Sequence, residues 1–169
     1  GWDRPKHTER NDGVVRLAIP AMVIKIVPPF LATLNRIRAE CKAKVEFHFF
    51  PNMVGMNHFT ISKELRRWFP GVNVYPRATY QAYMQWIAQC DLALSTFPFG
   101  GTNSTIDCFH VALPVITLEG PHIHGRSDAS MMRRVGLPEW LITHSKEEYV
   151  AAALRFIDGD PLEREAIRI

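Results

Sequence analysis

The chain has 169 residues, of which 47% are hydrophobic and 22% charged, with a net charge of +3. This length and composition fit one globular domain with a buried core. The mild positive balance has no Lys/Arg stripe behind it, which argues against a nucleic-acid partner, and the most apolar stretch (14–34) is broken by Arg16, Pro20, Lys25, Pro28 and Pro29, which excludes a membrane span.

The opening GWDRPKHTERND is polar and reads as a linker or frayed segment over 1–13, followed by a single domain over 14–169. From there apolar runs and amphipathic stretches alternate. VVRLAI (14–19) is a buried strand, and the helix from Pro29 to Glu40 puts Phe30, Leu34 and Ile37 on one face. KVEFHFF (44–50) is the second strand, followed by a helix from Asn57 to Phe69 with Ile61, Leu65 and Trp68 inward. VNVY (72–75) precedes a helix from Thr79 to Cys90, and LALST (92–96) one from Asn103 to Ala112. PVITL (114–118) leads into a helix from Ser127 to Val135, with Ser127 or Asp128 as its N-cap. WLIT (140–143) is a weaker sixth strand. The last helix starts at Ser145 with Glu148 completing a capping box, buries Val150, Leu154 and Ile157, and stops at Gly159.

Strand and helix in alternation demand right-handed crossovers and a mainly parallel sheet covered on both faces. About six strands in this pattern predict a doubly wound, Rossmann-like α/β domain of order 3-2-1-4-5-6. The loops after strands 1 and 4 then face each other across a crevice at the switch point. The first carries Lys25; the second is FPFGGTNSTID (97–107).

Helix N-termini hold unpaired N–H groups and a partial positive charge, so they stabilise anions. Gly100 and Gly101 leave room for a phosphate against the backbone, and Thr102, Asn103, Ser104 and Thr105 add donors. A plain strand-to-helix turn capped by Thr102 or Asn103 accounts for the same spacing. Asp107, one turn in, fits either a helix-dipole partner or an acceptor for ribose hydroxyls. The segment is neither GxGxxG nor GxxxxGK[ST], which disfavours dinucleotide dehydrogenases and P-loop NTPases. Lys25, in the apolar AMVIKIVPPF, has the sign to meet a phosphate across the crevice, or snorkels to water. In YPRATYQAYM, Arg77 is a further phosphate candidate, while Tyr75 and Tyr80 either stack on a base or complete the core edge.

Cys41, Cys90 and Cys108 are odd in number, dispersed and free of CxxC, which points to a reducing, cytoplasmic setting. His122 and His124 form an H-x-H without a third ligand, so no metal is expected. His48, His58, His110 and His144 read as packing or surface residues. No nucleophile elbow or close carboxylate pair is present, so a catalytic base is expected outside this chain. The chain does not begin with Met, which points to a piece of a longer protein.

On Lys25, YPRATY and FPFGGTNSTID, with MMRRVGLPEWLI and EEYVAAALRF following in order, the sequence resembles the C-terminal, donor-binding half of a GT-B glycosyltransferase. More narrowly, it is similar to the bacterial cytoplasmic adhesin-modifying N-glycosyltransferases, relatives of the O-GlcNAc transferases. The resemblance implies a UDP-hexose donor, an inverting transfer to Asn or Ser/Thr of an acceptor protein such as an adhesin, and no required metal or cofactor. It also implies that Lys25 neutralises the diphosphate and that Thr102, Asn103 and Ser104 hold phosphate oxygens. Asp107 would take the ribose hydroxyls, and Arg77 to Tyr80 would contact the uracil. Two departures stand out: Arg77 occupies a position where these relatives tend to carry histidine, and His122 and Gly125 fall where they tend to be acidic. The acceptor-binding half would be N-terminal to this segment, so this piece alone should bind donor and transfer little. A nucleotide-sugar epimerase half-domain and a non-catalytic nucleotide-binding module are the alternatives. The first needs an acid/base pair near the sugar, and the second would tolerate loss of Lys25.

Overall fold

The computed structural model describes residues 3–8, 10–121 and 123–168. Among these residues six strands, β1 (Val14–Ile19), β2 (Lys44–Phe49), β3 (Asn73–Val74), β4 (Leu92–Leu94), β5 (Val115–Leu118) and β6 (Ile142–Thr143), form one sheet. Its order is β3-β2-β1-β4-β5-β6 and every described pair is parallel. This is the doubly wound arrangement expected from the alternation. The central strands are apolar on both faces because helices cover both: Leu17, Ile19, Leu92 and Leu94 are fully buried.

Among the described residues seven α-helices connect and flank the strands: α1 (Pro28–Glu40), α2 (Gly55–Trp68), α3 (Tyr80–Ala88), α4 (Asn103–His110), α5 (Ile123–Arg134), α6 (Lys146–Ile157) and α7 (Pro161–Ala166). Pro28 and Pro29 open α1, where a missing N–H costs nothing. Thr79 caps α3 by accepting from the Ala82 N–H. Phe97, three residues past the end of β4, packs edge-on against Phe30 of α1 (5.3 Å) and Tyr149 of α6 (5.2 Å). The start of the glycine loop is thereby pinned between two helices.

Local differences from the expected boundaries have identifiable causes. A 3-10 turn over Glu139–Leu141 takes the first two residues of WLIT and leaves only Ile142 and Thr143 in β6. Ser145 caps α6 as predicted, but Glu148 accepts from the His144 N–H (2.7 Å), one residue before the position a capping box implies. A short α7, not anticipated, is set by Asp160, which accepts from the Leu162 N–H, and by Pro161 in the first turn. The larger correction concerns α5. It begins at Ile123, so neither Ser127 nor Asp128 is its N-cap; both lie inside the helix. Gly125 permits this earlier start, since a β-carbon there would stand 2.8 Å from the Gly120 nitrogen.

The described residues of the N-terminal segment form no helix or strand, but His7 approaches the Ala88 carbonyl (3.1 Å) and Arg10 donates to Gln89, both at the end of α3.

Candidate functional site

The loops after β1 and β4 meet at the C-terminal edge of the sheet. After Pro20 the chain makes a 3-10 turn over Val23–Lys25, which directs the partly buried Lys25 across the switch point. Its ammonium donates to the Gly100 carbonyl at 2.6 Å. The expected juxtaposition of Lys25 with the glycine loop is therefore present. Thr102 is the N-cap residue of α4 and makes no side-chain capping bond. Its hydroxyl lies 3.3 Å from that of Ser127 instead. The Ser104 N–H donates to the Gly101 carbonyl (2.7 Å), and the positive dipole end of α4 follows directly on the carbonyl that holds the Lys25 ammonium, a combination that favours an anion.

Two details show how the glycine pair is used. Neither Gly100 nor Gly101 has a positive φ; the left-handed backbone in this loop is at Thr102 (φ 22°). The Gly101 N–H does not face the crevice but donates to Oδ2 of Asp128 at 2.8 Å. Asp128, almost fully buried, also accepts from Ser95 Oγ at 2.8 Å.

Beside the loop lies a cleft of about 310 Å³, lined among others by Phe50, Asn52, Tyr75, Arg77, Ser104 and Asp107. That volume is at the lower end of ordinary small-molecule sites. Aromatic rings form its wall: Tyr75 stacks on Phe50 (4.6 Å, 9° between planes) and leans on Trp86 (4.8 Å). The Tyr75 hydroxyl meets His48 Nδ1 at 2.9 Å. Burial pushes the His48 pKa down, partly countered by hydrogen bonding to Glu46, so the imidazole is neutral near pH 7. Burial likewise pushes the Tyr83 phenol far above its ordinary value.

Arg77 is exposed, and its guanidinium donates to Asn52 Oδ1 (3.1 Å) and to the Asn52 carbonyl (3.4 Å). It braces the exit loop of β2, where Asn52 is left-handed (φ 61°). Tyr80 donates to Asp107 Oδ1 at 2.6 Å, and that bond raises its phenol pKa to about 12. Ser104 borders both the cleft and the narrow space beneath the glycine loop, so it joins the two halves of the site. Asn103 opens α4 and is exposed.

The candidate residues thus fall into two groups. Lys25, Gly100, Gly101 and Thr102 gather at the start of α4. Arg77, Tyr80, Ser104 and Asp107 surround the cleft. Sequence reasoning missed Asp128 and Ser95 as the support under the loop. The available signal was an acidic residue at a core position of α5, where Gly125, Asp128, Ala129 and Met132 follow helical spacing and all are buried. Among the described residues no three His, Cys, Asp or Glu side chains cluster to hold a metal. His122 and the His124 side chain lie outside the described residues. No helix among the described residues is long and apolar enough to cross a membrane.

The sheet order and the cleft at the switch point define a doubly wound, Rossmann-like domain with its candidate site at the C-terminal edge of the sheet. Over 99% of its length the chain superposes on an O-GlcNAc transferase from Thermobaculum terrenum, with a TM-score of 0.81 at 22% identity, covering 32% of that chain. In sequence it is 33% identical over 151 residues to the UDP-glucose:protein N-beta-glucosyltransferase of Actinobacillus pleuropneumoniae serotype 5b, which is 88% of this chain and 24% of that protein. It is also 34% identical over 74 residues to a probable UDP-N-acetylglucosamine–peptide N-acetylglucosaminyltransferase SPINDLY of Solanum lycopersicum, 43% of this chain and 8% of that protein. No protein-family model matches the chain. The chain is thus homologous to part of that protein N-glucosyltransferase, spans about a quarter of its length, and has the fold of a GT-B glycosyltransferase domain.

Proposed function

We propose that this chain is the donor-binding half of an inverting protein glycosyltransferase that takes a hexose from a UDP-sugar. The observation that carries the reading is the Lys25 ammonium, held 2.6 Å from the Gly100 carbonyl beside a helix N-terminus with no side-chain cap. In this reading the diphosphate lies between Lys25 and the start of α4, with Thr102, Asn103 and Ser104 as donors. The uridine lies along the aromatic cleft, where Asp107 accepts from the ribose and the Arg77 to Tyr80 segment meets the base. The acceptor is an Asn or Ser/Thr side chain of a cytoplasmic protein such as an adhesin, presented by an N-terminal half.

The chemistry follows from charge. As the bond between the anomeric carbon and the β-phosphate oxygen breaks, its electron pair goes to the oxygen and negative charge builds on UDP. Lys25 and the α4 N-terminus stabilise that charge, and a well-placed donor of this kind contributes about 3–4 kcal/mol. The acceptor attacks the opposite face of the sugar, which inverts the configuration. No metal is needed in this scheme, since the lysine and the helix supply the positive charge.

Calorimetric titration of the chain with UDP, ADP and GDP, alongside Lys25→Ala and Asn103→Ala, tests the reading. Selective UDP binding weakened by both substitutions is expected. A folded chain that binds none of the nucleotides contradicts it. UDP binding that is indifferent to Lys25→Ala would instead favour a regulatory nucleotide-binding module.

A further inference from the structure

We infer that Asp128 is a positioning residue for donor binding: it fixes the orientation of the Gly100–Gly101 peptide and thereby holds Lys25 in the crevice. The inference rests on the reading of Lys25 as the diphosphate partner. The Gly100 carbonyl and the Gly101 N–H belong to one peptide group. Its oxygen accepts from Lys25 Nζ at 2.6 Å, and its N–H donates to Asp128 Oδ2 at 2.8 Å. A peptide dipole of about 3.5 D is therefore clamped between an ammonium and a carboxylate, each facing the end it attracts. Flipping the peptide would turn oxygen toward carboxylate and N–H toward ammonium, unfavourable at both ends.

The clamp is anchored to the sheet. Ser95 donates its hydroxyl to the same Asp128 oxygen, while its N–H is held by the Ile116 carbonyl (3.0 Å) and its own carbonyl accepts from Tyr149 Oη (2.8 Å). Asp128 is 1% exposed, and its second oxygen, Oδ1, is buried with no hydrogen-bond partner. An incompletely satisfied buried carboxylate is costly, so stability alone does not account for it. Orienting the peptide does. With the carbonyl turned to Lys25, one ammonium N–H is used and the other two remain for an anion. The Gly101 amide is occupied by Asp128. The loop accordingly serves the phosphate through the lysine it holds rather than through that N–H.

The test is UDP titration of the chain carrying Asp128→Asn, Asp128→Ala, Lys25→Ala and the Asp128→Ala/Lys25→Ala pair, with thermal melts in parallel. The carboxamide oxygen of Asp128→Asn can accept from both Ser95 and Gly101, so UDP affinity should stay within about threefold of the parent. Asp128→Ala should lose about tenfold in UDP affinity while folded, but less than about threefold further once Lys25 is already alanine. A purely structural role predicts losses that multiply in the pair, and that result would overturn the proposal, as would parent-like UDP binding by Asp128→Ala. If Asp128→Ala does not fold, Ser95→Ala leaves the carboxylate in place but loosens it. A loss of about threefold that vanishes in the Lys25→Ala background supports the proposal, and unchanged affinity overturns it. If Lys25→Ala itself leaves UDP binding unchanged, the diphosphate reading fails and takes this proposal with it. If Lys25→Ala matters and Asp128→Ala does not, only this proposal falls.

Discussion

At the glycine-loop end of the crevice, polar contacts run inward, from Lys25 through one peptide group to Asp128, Ser95 and Tyr149, the last three all buried. At the cleft end they run along the surface: Arg77 to Asn52 and Tyr80 to Asp107 are exposed pairs, and Tyr80 itself is 55% exposed. The first arrangement sits where water competes little, so each bond is stronger and each loss leaves an unsatisfied group behind. The second can be exchanged for ligand contacts at small cost. The Tyr80–Asp107 bond has to open if Asp107 is to take ribose hydroxyls, and an exposed bond is one that can. One end is built to hold a charge in place and the other to adapt to what enters.

Breaking the support under the loop should have the largest effect. Leu94, the last residue of β4, is fully buried, and Leu94→Ala should destabilise the fold by about 2–5 kcal/mol in chemical denaturation. The exposed Tyr80→Phe should cost less than about 0.5 kcal/mol in the same assay. Comparable costs would remove the distinction between the two ends. Next comes Lys25→Ala, which should weaken UDP by about 10- to 100-fold, the range for a hydrogen bond to a charged group. Arg77→Ala, whose guanidinium is already engaged with Asn52, should weaken UDP by less than about threefold in the same titration.

Tyr149→Phe deletes only the hydroxyl that reaches the Ser95 carbonyl. About 1 kcal/mol should be lost, seen as a fall of about 2–4 °C in Tm. The smallest effect is a titration. The Tyr80 phenol should ionise at about 12 because Asp107 accepts its proton, and Asp107→Asn should bring it back toward 10.0 in a phenolate absorbance titration. Since the folded pKa lies above the unfolded one, what this bond contributes to stability is complete below about pH 10 and fades as pH climbs toward 12. A Tyr80 that ionises at its ordinary value with Asp107 intact would show that the exposed bond does not persist in solution.

The sheet order and the facing of Lys25 on the glycine loop were legible because both follow from alternation and strand connectivity. The support beneath the loop was hidden by a local signal. Ser127-Asp128 has the chemistry of an N-cap, whereas the actual start of α5 has none of Ser, Thr, Asp or Asn at hand. The close approach of Gly125 to Gly120, a tertiary contact, decided where the helix begins. The left-handed backbone of the loop was out of reach for the same reason: it falls on Thr102, whose hydroxyl rests against Ser127 of α5. The partner of Arg77 was equally out of reach, because Asn52 is 25 residues away and joins it only through the fold.

The central claim is that a diphosphate lies between Lys25 and the start of α4. Calorimetric titration of the parent chain and Lys25→Ala with UDP and with uridine tests it most directly. The account predicts that the substitution weakens UDP by at least about tenfold and leaves uridine affinity unchanged, because only the phosphates reach the ammonium. An equal loss for both ligands, or none for UDP, would contradict it.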